Sequence, residues 1–389
     1  MSGGHPTGDC AGAGRVKGIS VILGNPGRQH NDQSAAALAG ADMLDLFVHG
    51  APSRGELARE IGAHDLCLRR YHLAIALATR LPQRAMRVHA AHQIYYHFGA
   101  RLARIASRRD GWNIALSVEN SALELFTLNR TRGGVNVLDA ASVHHGWQSP
   151  LPDAGLAARN ARKDAEIALA DHIFTCSKMA RQSYIQAGVG GDRVHVVPLG
   201  LDREIFADAA AENDHVGPIR FLFVARSGYA KGADLVAEAM AALAARGIVC
   251  SLEVAGRLTP DAVGWLSPHA RLHGDVGRED LARLMREADI ILHPSRFDSF
   301  GFVVAEALAS GRGVIASDRT GAADLLTPSE NGWIIPTGDA AALTDAMENA
   351  AANVAAVRAM APACQAAVAG MNWASYRARI VALLQDIAA

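Results

Sequence analysis

Few of the features that mark specialised protein classes are present in this chain. Its five cysteines, Cys10, Cys67, Cys176, Cys250 and Cys364, are odd in number, widely scattered and never spaced CxxC. That argues against a disulfide framework and a zinc site, and it fits a reducing cytoplasm. Aromatic residues make up 5% and the formal net charge is -1. Neither provides the basic stacking platform that nucleic-acid binding needs. No segment is long and apolar enough to cross a membrane. Residues 1–17, MSGGHPTGDCAGAGRVK, lack the short apolar run of a signal peptide and read as a loose leader. The GAGRVKG of residues 12–18 precedes its strand instead of following it, so it is no dinucleotide fingerprint. No G-x4-G-K-[ST] loop, HExxH or DxD pair occurs. An ATPase and a zincin lose support accordingly.

What is present is an ordinary globular composition, 50% hydrophobic and 20% charged over 389 residues. That length exceeds what one hydrophobic core usually supports, so two domains are expected, with a cleft as the natural ligand site. Short β-branched runs alternate with longer helical patterns, the rhythm of βαβ units. Strands are expected at 19–23, 87–89, 114–118, 135–138, 172–176 and 194–197, then at 220–225, 250–255, 290–293, 313–317 and 333–335. Each half therefore has enough strands for its own doubly wound sheet. The stretch 201–217 loses apolar periodicity and ends in Gly217-Pro218, which places the hinge there. The expected order is a leader (1–17), an acceptor-side Rossmann-like domain (18–205), a donor-binding domain (206–370) and a helix (371–389) packing back toward the first domain. Residues 1–200 hold 22 Lys/Arg against 16 Asp/Glu, so the first half is the basic one. Part of that excess, Arg101, Arg104, Arg108 and Arg109, falls on one predicted helix. It reads either as a solvated face or as a contact with an anionic membrane surface or phosphorylated acceptor.

Two stretches carry the chemistry. In FLFVARSGYAKGADLVAEAMAALAARG, residues 221–247, a buried strand runs through a small-residue loop into an amphipathic helix. A helix start offers unpaired N–H groups and the positive end of the macrodipole, which suits an anion. Arg226 at the strand end and Lys231 at the helix start would hold two cations over it, one bidentate and one a mobile point charge. In ADIILHPSRFDSFGFVVAEALASGRGVIASD, residues 288–318, a strand ends at His293 and a helix starts near Gly301. Asp298 and Glu306 would then lie at most ~12 Å apart along the helix axis, at 1.5 Å per residue. That span suits one elongated ligand, with a sugar ring at the helix start and a ribose deeper along it. The N–H groups of Gly301 and Phe302 would add donors between them. Taken alone, an Asp and a Glu so spaced are usually an N-cap and a solvent-facing side chain.

The pattern A-R-x4-K-G after a strand, followed by P-S-R-F-D-S-F-G-F-V-V-A-E-A-L-A-S-G, resembles the C-terminal donor domain of the family 4 retaining glycosyltransferases (glycosyl transferases group 1, GT-B fold). The resemblance runs on through Asp324-Leu325, Asn331-Gly332 and Ile334-Ile335-Pro336, and back to V-V-P-L-G-L-D at 196–202 with Phe206. It implies an α/β fold of two Rossmann-like domains facing across a cleft. It also implies that the positions of Arg226 and Lys231 bind a donor diphosphate and that of Glu306 the ribose. Asp298 would contact the transferred sugar, with Ser299, Phe300, Gly301, Phe302 and Val303 nearby; the residues from His273 to Val276, in LHGDV, Gly274 and Val276 among them, would line the base. This chain departs from the family in having Asp298 where Glu is usual and Ala225 where Gly is usual, which leaves the sugar open and not the class.

The first half matches more faintly. The loop G-N-P-G-R-Q-H, 24–30, follows the first strand where the family keeps a glycine-containing loop near donor phosphate and acceptor. Gly24 and Gly27 allow close backbone approach and Arg28 can contact phosphate; a plain turn is the competing reading. In L-D-A-A-S-V-H-H, 138–145, similar proteins place a His near the reacting carbon, and His144 matches better than His145. The expected activity is transfer of a hexose from a UDP- or GDP-sugar, with retention and without an essential metal or other cofactor, to a glycan, lipid-linked or small-molecule acceptor. Polysaccharide or envelope glycan assembly, in the cytoplasm or at the cytoplasmic face of the membrane, is the expected setting. Its partners are the donor, the acceptor and a peripheral contact with the inner membrane surface, with no nucleic acid. A sugar-nucleotide epimerase of the same architecture, a nucleotide-sugar binder without turnover and an NAD-dependent oxidoreductase are the rival readings, the last lacking its glycine fingerprint.

Overall fold

A computed structural model describes residues 18–27, 30–147, 155–207 and 217–389. The chain builds two open sheets. The first contains β1 (Val21–Asn25), β2 (Leu44–His49), β3 (Asp65–Cys67), β4 (Ile114–Val118), β5 (Val135–Ala140), β6 (His172–Thr175) and β7 (Val194–Val196), in the order 3-2-1-4-5-6-7. The second contains β8 (Ile219–Val224), β9 (Cys250–Ala255), β10 (Arg271–Gly274), β11 (Ile290–His293), β12 (Gly313–Ser317) and β13 (Gly332–Ile335), in the order 10-9-8-11-12-13 and parallel throughout. Helices connect the strands. Those used below are α1 (Arg69–Ala78), α2 (Arg84–Ala106), α3 (Lys178–Gln186), α4 (Ala233–Ala245), α5 (Phe302–Ala309) and α6 (Trp373–Ala388).

By contact density, the chain through Val137, with Asp164–Ala170 and Arg379–Ala389, forms one compact unit, and Leu138–Lys163 with Asp171–Ala378 forms another. In the second unit, alternate residues of β8 enter two cores, as period-2 side-chain placement requires. Phe221 and Phe223 pack with Leu235, Val236, Met240 and Leu243 of α4 on one face. Leu222 packs with Val304 and Leu308 of α5 on the other. Both faces are covered, which is why these strands read as continuous apolar runs.

Several local expectations are corrected. Residues 87–89 are not a strand; they lie inside the 23-residue α2. Three alternating residues do not distinguish a strand from a helical turn. Strands β2, β3 and β10 were not expected; β3 and β10 are edge strands of three and four residues with no fully buried position. The helix carrying Arg101 and Arg104 ends at Ala106, so Arg108 and Arg109 lie beyond it, and Arg109 is paired with Asp45 at 2.5 Å.

In the second sheet, the strand order reverses between β8 and β11. The carboxyl ends of strands flanking such a reversal leave a crevice, because the crossover helices on either side depart to opposite faces. Those two ends carry Arg226 and His293.

Candidate functional site

The loop after β8 is tightly bound to its neighbours. Gly256, at φ +119°, lies where a Cβ would come within 2.0 Å of the Ala225 carbonyl oxygen. Gly232, at φ +79°, lies where a Cβ would meet the Pro294 carbonyl oxygen at 2.3 Å. Only glycine permits both the left-handed backbone and the close approach. Between them, Ser227 adopts φ +129°, an uncommon conformation for a residue with a side chain. Residues 229–231 make a single tight turn that delivers Lys231 to the start of α4.

The loop after β11 is stitched onto the first. The Arg296 backbone N–H donates to the Ala230 carbonyl at 3.0 Å, and Ser295 Oγ donates to the same oxygen at 3.3 Å. The Arg296 guanidinium grips both carboxylate oxygens of Asp234, at 2.8 and 2.6 Å, and lies 3.6 Å from the centre of the Tyr229 ring. This fork-on-fork pair with a ring beneath it holds the two loops in register.

Asp298 is thereby brought to Lys231. Its Oδ2 accepts from Lys231 Nζ at 2.6 Å, its Oδ1 accepts from the Phe300 N–H at 3.3 Å, and His293 Nε2 approaches Oδ2 to 3.3 Å. The buried His293 Nε2 makes no regular hydrogen bond, so its 3.3 Å approach to Asp298 acts through charge. Burial opposes ionisation of Asp298, but His293 and Lys231 together outweigh it and hold the carboxyl well below the usual carboxylate range. At the rim, Asp275 Oδ1 lies 3.6 Å from Arg226 and Oδ2 lies 2.8 Å from Arg257.

These groups border a cavity of about 270 Å³. Its polar lining includes Arg226, Lys231, Asp275, His293 and Asp298, and its apolar wall includes Val224, Val276, Leu281 and Val303. Two basic side chains at one mouth, an anchored carboxylate and an apolar wall together match a ligand with an anionic middle and a flatter end.

The other expected residues are placed as follows. Gly274 ends β10 at φ +70°, next to Asp275. Ser299 presents its carbonyl to Ser177 Oγ, the N-cap of α3, at 2.8 Å. Phe300 is buried and packs edge-on against the exposed Phe302 at 4.7 Å. Gly301 caps α5 at φ +88°, where a Cβ would meet Thr320 Cγ2 at 2.6 Å. Glu306 lies on the second turn of α5, and burial pushes its carboxyl up to about 7, opposed by the charge of Arg278 and aided by that of Asp202. It is not among the residues that line the cavity. His144 packs edge-on against Tyr184 at 5.3 Å, and its Nδ1 accepts the Gly146 N–H at 3.1 Å, so a neutral ring carries its proton on Nε2. In the other unit, Gly24 lies where a Cβ would come within 2.2 Å of Leu102 of α2, so α2 sits directly on the end of β1. Arg28 lies outside the described residues.

Sequence reasoning missed His293, Arg257 and the Arg296–Asp234 pair, and it placed Asp275 only within the stretch 273–276 expected to line the base. His293 was the legible one, a polar residue closing an otherwise apolar strand. The others signal only through partners remote in the chain.

Residues 218–353 match the profile of the family described as Glycosyl transferases group 1. Among curated proteins, the amylovoran biosynthesis glycosyltransferase AmsK of Erwinia amylovora is 30% identical over 184 residues, covering 44% of this chain and 45% of that protein. The phosphatidyl-myo-inositol mannosyltransferase of Mycobacterium tuberculosis is 29% identical over 223 residues, covering 54% and 58%. The chain thus spans about half the length of the curated relatives it matches. Among solved structures, a sucrose-phosphate synthase from Thermosynechococcus elongatus aligns with a TM-score of 0.72 at 20% identity, over 95% of this chain and 99% of that one. Anabaena HepE in complex with UDP and glucose aligns at 0.65 and 14% identity, over 95% and 100%. These likenesses extend over both sheets, and the fold is that of two Rossmann-like α/β domains.

Proposed function

We propose, starting from a chain whose residues 218–353 belong to the glycosyl transferases group 1 family, that the protein is a retaining glycosyltransferase using a nucleotide diphosphate sugar. The observation that carries this reading is the meeting of Arg226, Lys231 and Asp298 around one cavity at the strand reversal of the second sheet. Arg226 and Lys231 take the diphosphate, Val276 and its neighbours take the base, and Glu306 takes the ribose. Asp298 holds the sugar. As the glycosidic bond to the diphosphate breaks, negative charge grows on the leaving phosphate and positive charge on the anomeric carbon. The two cations and the helix start stabilise the first of these charges without calling on a metal ion. The leaving phosphate then accepts the acceptor's hydroxyl proton, on the same face as attack. In this reading, Gly24, Arg28 and His144 shape the acceptor side, and the functional boundary falls in 201–217, between β7 and β8.

The donor is a UDP- or GDP-hexose, a reading supported on the UDP side by the UDP and glucose of the HepE complex, and a glycan or lipid-linked acceptor in polysaccharide or envelope glycan assembly agrees with the names of the amylovoran and phosphatidylinositol relatives. We place the reaction in the cytoplasm at the inner face of the membrane. The described cysteines, Cys67, Cys176, Cys250 and Cys364, are free thiols, as a reducing compartment requires. Among the described residues no helix is long and apolar enough to cross a membrane, so the association we propose is peripheral. The test is incubation with a panel of nucleotide sugars and product analysis. Release of nucleotide diphosphate coupled to an extended acceptor supports transfer. A donor isomerised without acceptor would make the protein an epimerase, and saturable binding without turnover would make it a binder.

A further inference from the structure

The loop that follows β5 carries His144 and is docked along α3. The His144 N–H donates to Ser183 Oγ at 2.9 Å, and Trp147 Nε1 donates to Gln186 Oε1 at 2.6 Å. Ser183 is fully buried and donates its own proton to the Ala180 carbonyl at 2.6 Å, which leaves its oxygen to accept from His144. The start of the same helix is fixed to the Asp298 loop. Ser177, its cap, donates to the Ser299 carbonyl at 2.8 Å and accepts the Ala180 N–H at 3.1 Å. Gly321 presses on that joint, since a Cβ there would meet the Ser299 carbonyl oxygen at 2.2 Å and Ser177 Oγ at 2.7 Å. Ser183 stands six positions after Ser177, which is ~9 Å along the axis at 1.5 Å per residue.

A second route joins His144 to Asp298 without the helix. The Trp147 N–H donates to the His144 carbonyl at 2.9 Å, the Arg319 guanidinium lies 5.2 Å from the centre of the Trp147 ring, and the Arg319 carbonyl accepts the Asp298 N–H at 3.0 Å. All of these residues belong to the second compact unit. A loop tied at one point swings about it, whereas two independent ties to one partner fix its distance. We infer that α3 and the Trp147–Arg319 stack together set His144 against Asp298, with Ser183, Trp147 and Arg319 as positioning residues. Holding the loop in place needs only its packing on α3. The route through Arg319, an exposed side chain, adds nothing to the core and ends on the residue expected to hold the sugar. The inference rests on the transferase reading for the chemistry of His144 and Asp298, and on geometry alone for their coupling.

The experiment compares full-length wild type with Arg319→Ala, Trp147→Leu, Trp147→Phe, His144→Ala and the double variant Arg319→Ala/His144→Ala. It measures kcat and KM with the nucleotide sugar that wild type turns over, UDP and GDP affinity by calorimetry, and amide hydrogen exchange over residues 143–147. Arg319→Ala and Trp147→Leu should each lower kcat about tenfold or more, with donor KM, nucleotide affinity and Tm close to wild type. Trp147→Phe keeps an aromatic face for Arg319 and should recover most of that loss. Exchange over 143–147 should quicken in Arg319→Ala. In the His144→Ala background, Arg319→Ala should cost nothing further, because it acts through His144. The inference is overturned if Arg319→Ala keeps wild-type kcat, if its cost is undiminished without His144, or if exchange over 143–147 is unchanged. Wild type that turns over no nucleotide sugar would sink the transferase reading instead. The exchange result then decides the coupling by itself: quickened exchange in Arg319→Ala upholds it and unchanged exchange overturns it.

Discussion

Lys231 Nζ and Asp298 Oδ2 lie 2.6 Å apart, so the cation expected to bind phosphate and the acid expected to hold the sugar form one ion pair across 67 residues of chain. Each group sets the other's orientation and charge. A donor arriving between them must take Lys231 partly from Asp298 and give that carboxylate hydroxyl groups in exchange.

Substitution should separate the two roles. Lys231→Ala should weaken UDP or GDP binding by at least about tenfold, ~1.4 kcal/mol, by calorimetry. Asp298→Asn should leave bare-nucleotide affinity unchanged or raised, since Lys231 is freed for phosphate, yet sharply reduce transfer. Equal loss of binding and turnover in Asp298→Asn would remove its sugar-holding role.

The pair of Arg296 with Asp234 should act as a positioning device. Arg296→Ala leaves Asp234 without its bidentate partner and should cost ~1–3 kcal/mol in denaturant unfolding. Donor affinity should fall as well, because Lys231 is delivered by the turn that Arg296 clamps. A charge-exchanged variant, Arg296→Asp with Asp234→Arg, should recover part of both losses. Unaltered donor binding in Arg296→Ala would show that the turn holds its shape without the clamp.

Glu306 should make stability depend on pH. Its folded carboxyl titrates at about 7 against an ordinary value of 4.5, so between these values the folded state holds a proton that the unfolded state has released. Stability therefore falls as pH rises through that window and levels off above it. The loss is at most ~3 kcal/mol, and smaller where water reaches the side chain. Asp298, shifted the other way, contributes its stabilisation in full between pH 5 and 8 and loses it only as pH drops below the ordinary carboxylate range, so it adds no slope in the Glu306 window. Glu306→Gln should gain on wild type in Tm at pH 8 but not at pH 5. Parallel profiles for the two proteins would place the titration elsewhere.

Gly301→Ala should destabilise by ~1–3 kcal/mol, since its backbone is at φ +88° and the added methyl meets Thr320. The same change should misplace α5 and so weaken nucleotide binding. A Tm equal to wild type would mean that the cap relaxes freely.

Strands β8, β11 and β12 were legible because each is a largely buried apolar run, β9 and β13 because short apolar stretches remain at half-buried positions, and the loops after β8 and β11 because glycines, cations and acids cluster there. The edge strands β3 and β10 were not, since three or four partly exposed residues carry no periodicity. Nor was the end of the arginine cluster, because the propensity that sustains a helix at Arg104 gives no signal for its stop at Ala106.

Local chemistry is written in the order of residues: which strands form, where a helix starts, and that Arg226, Lys231, Asp298 and Glu306 flank the two strand-to-helix junctions. Which of them meet depends on strand order. Placing β11 beside β8 brings Asp298 to Lys231 and Arg296 to Asp234, and that adjacency comes from crossover packing over long separations. Covalent neighbours alone therefore determined the parts of this site, whereas their pairings were decided only by packing, and with them the burial that raises Glu306 and the Lys231 and His293 contacts that lower Asp298 in spite of burial.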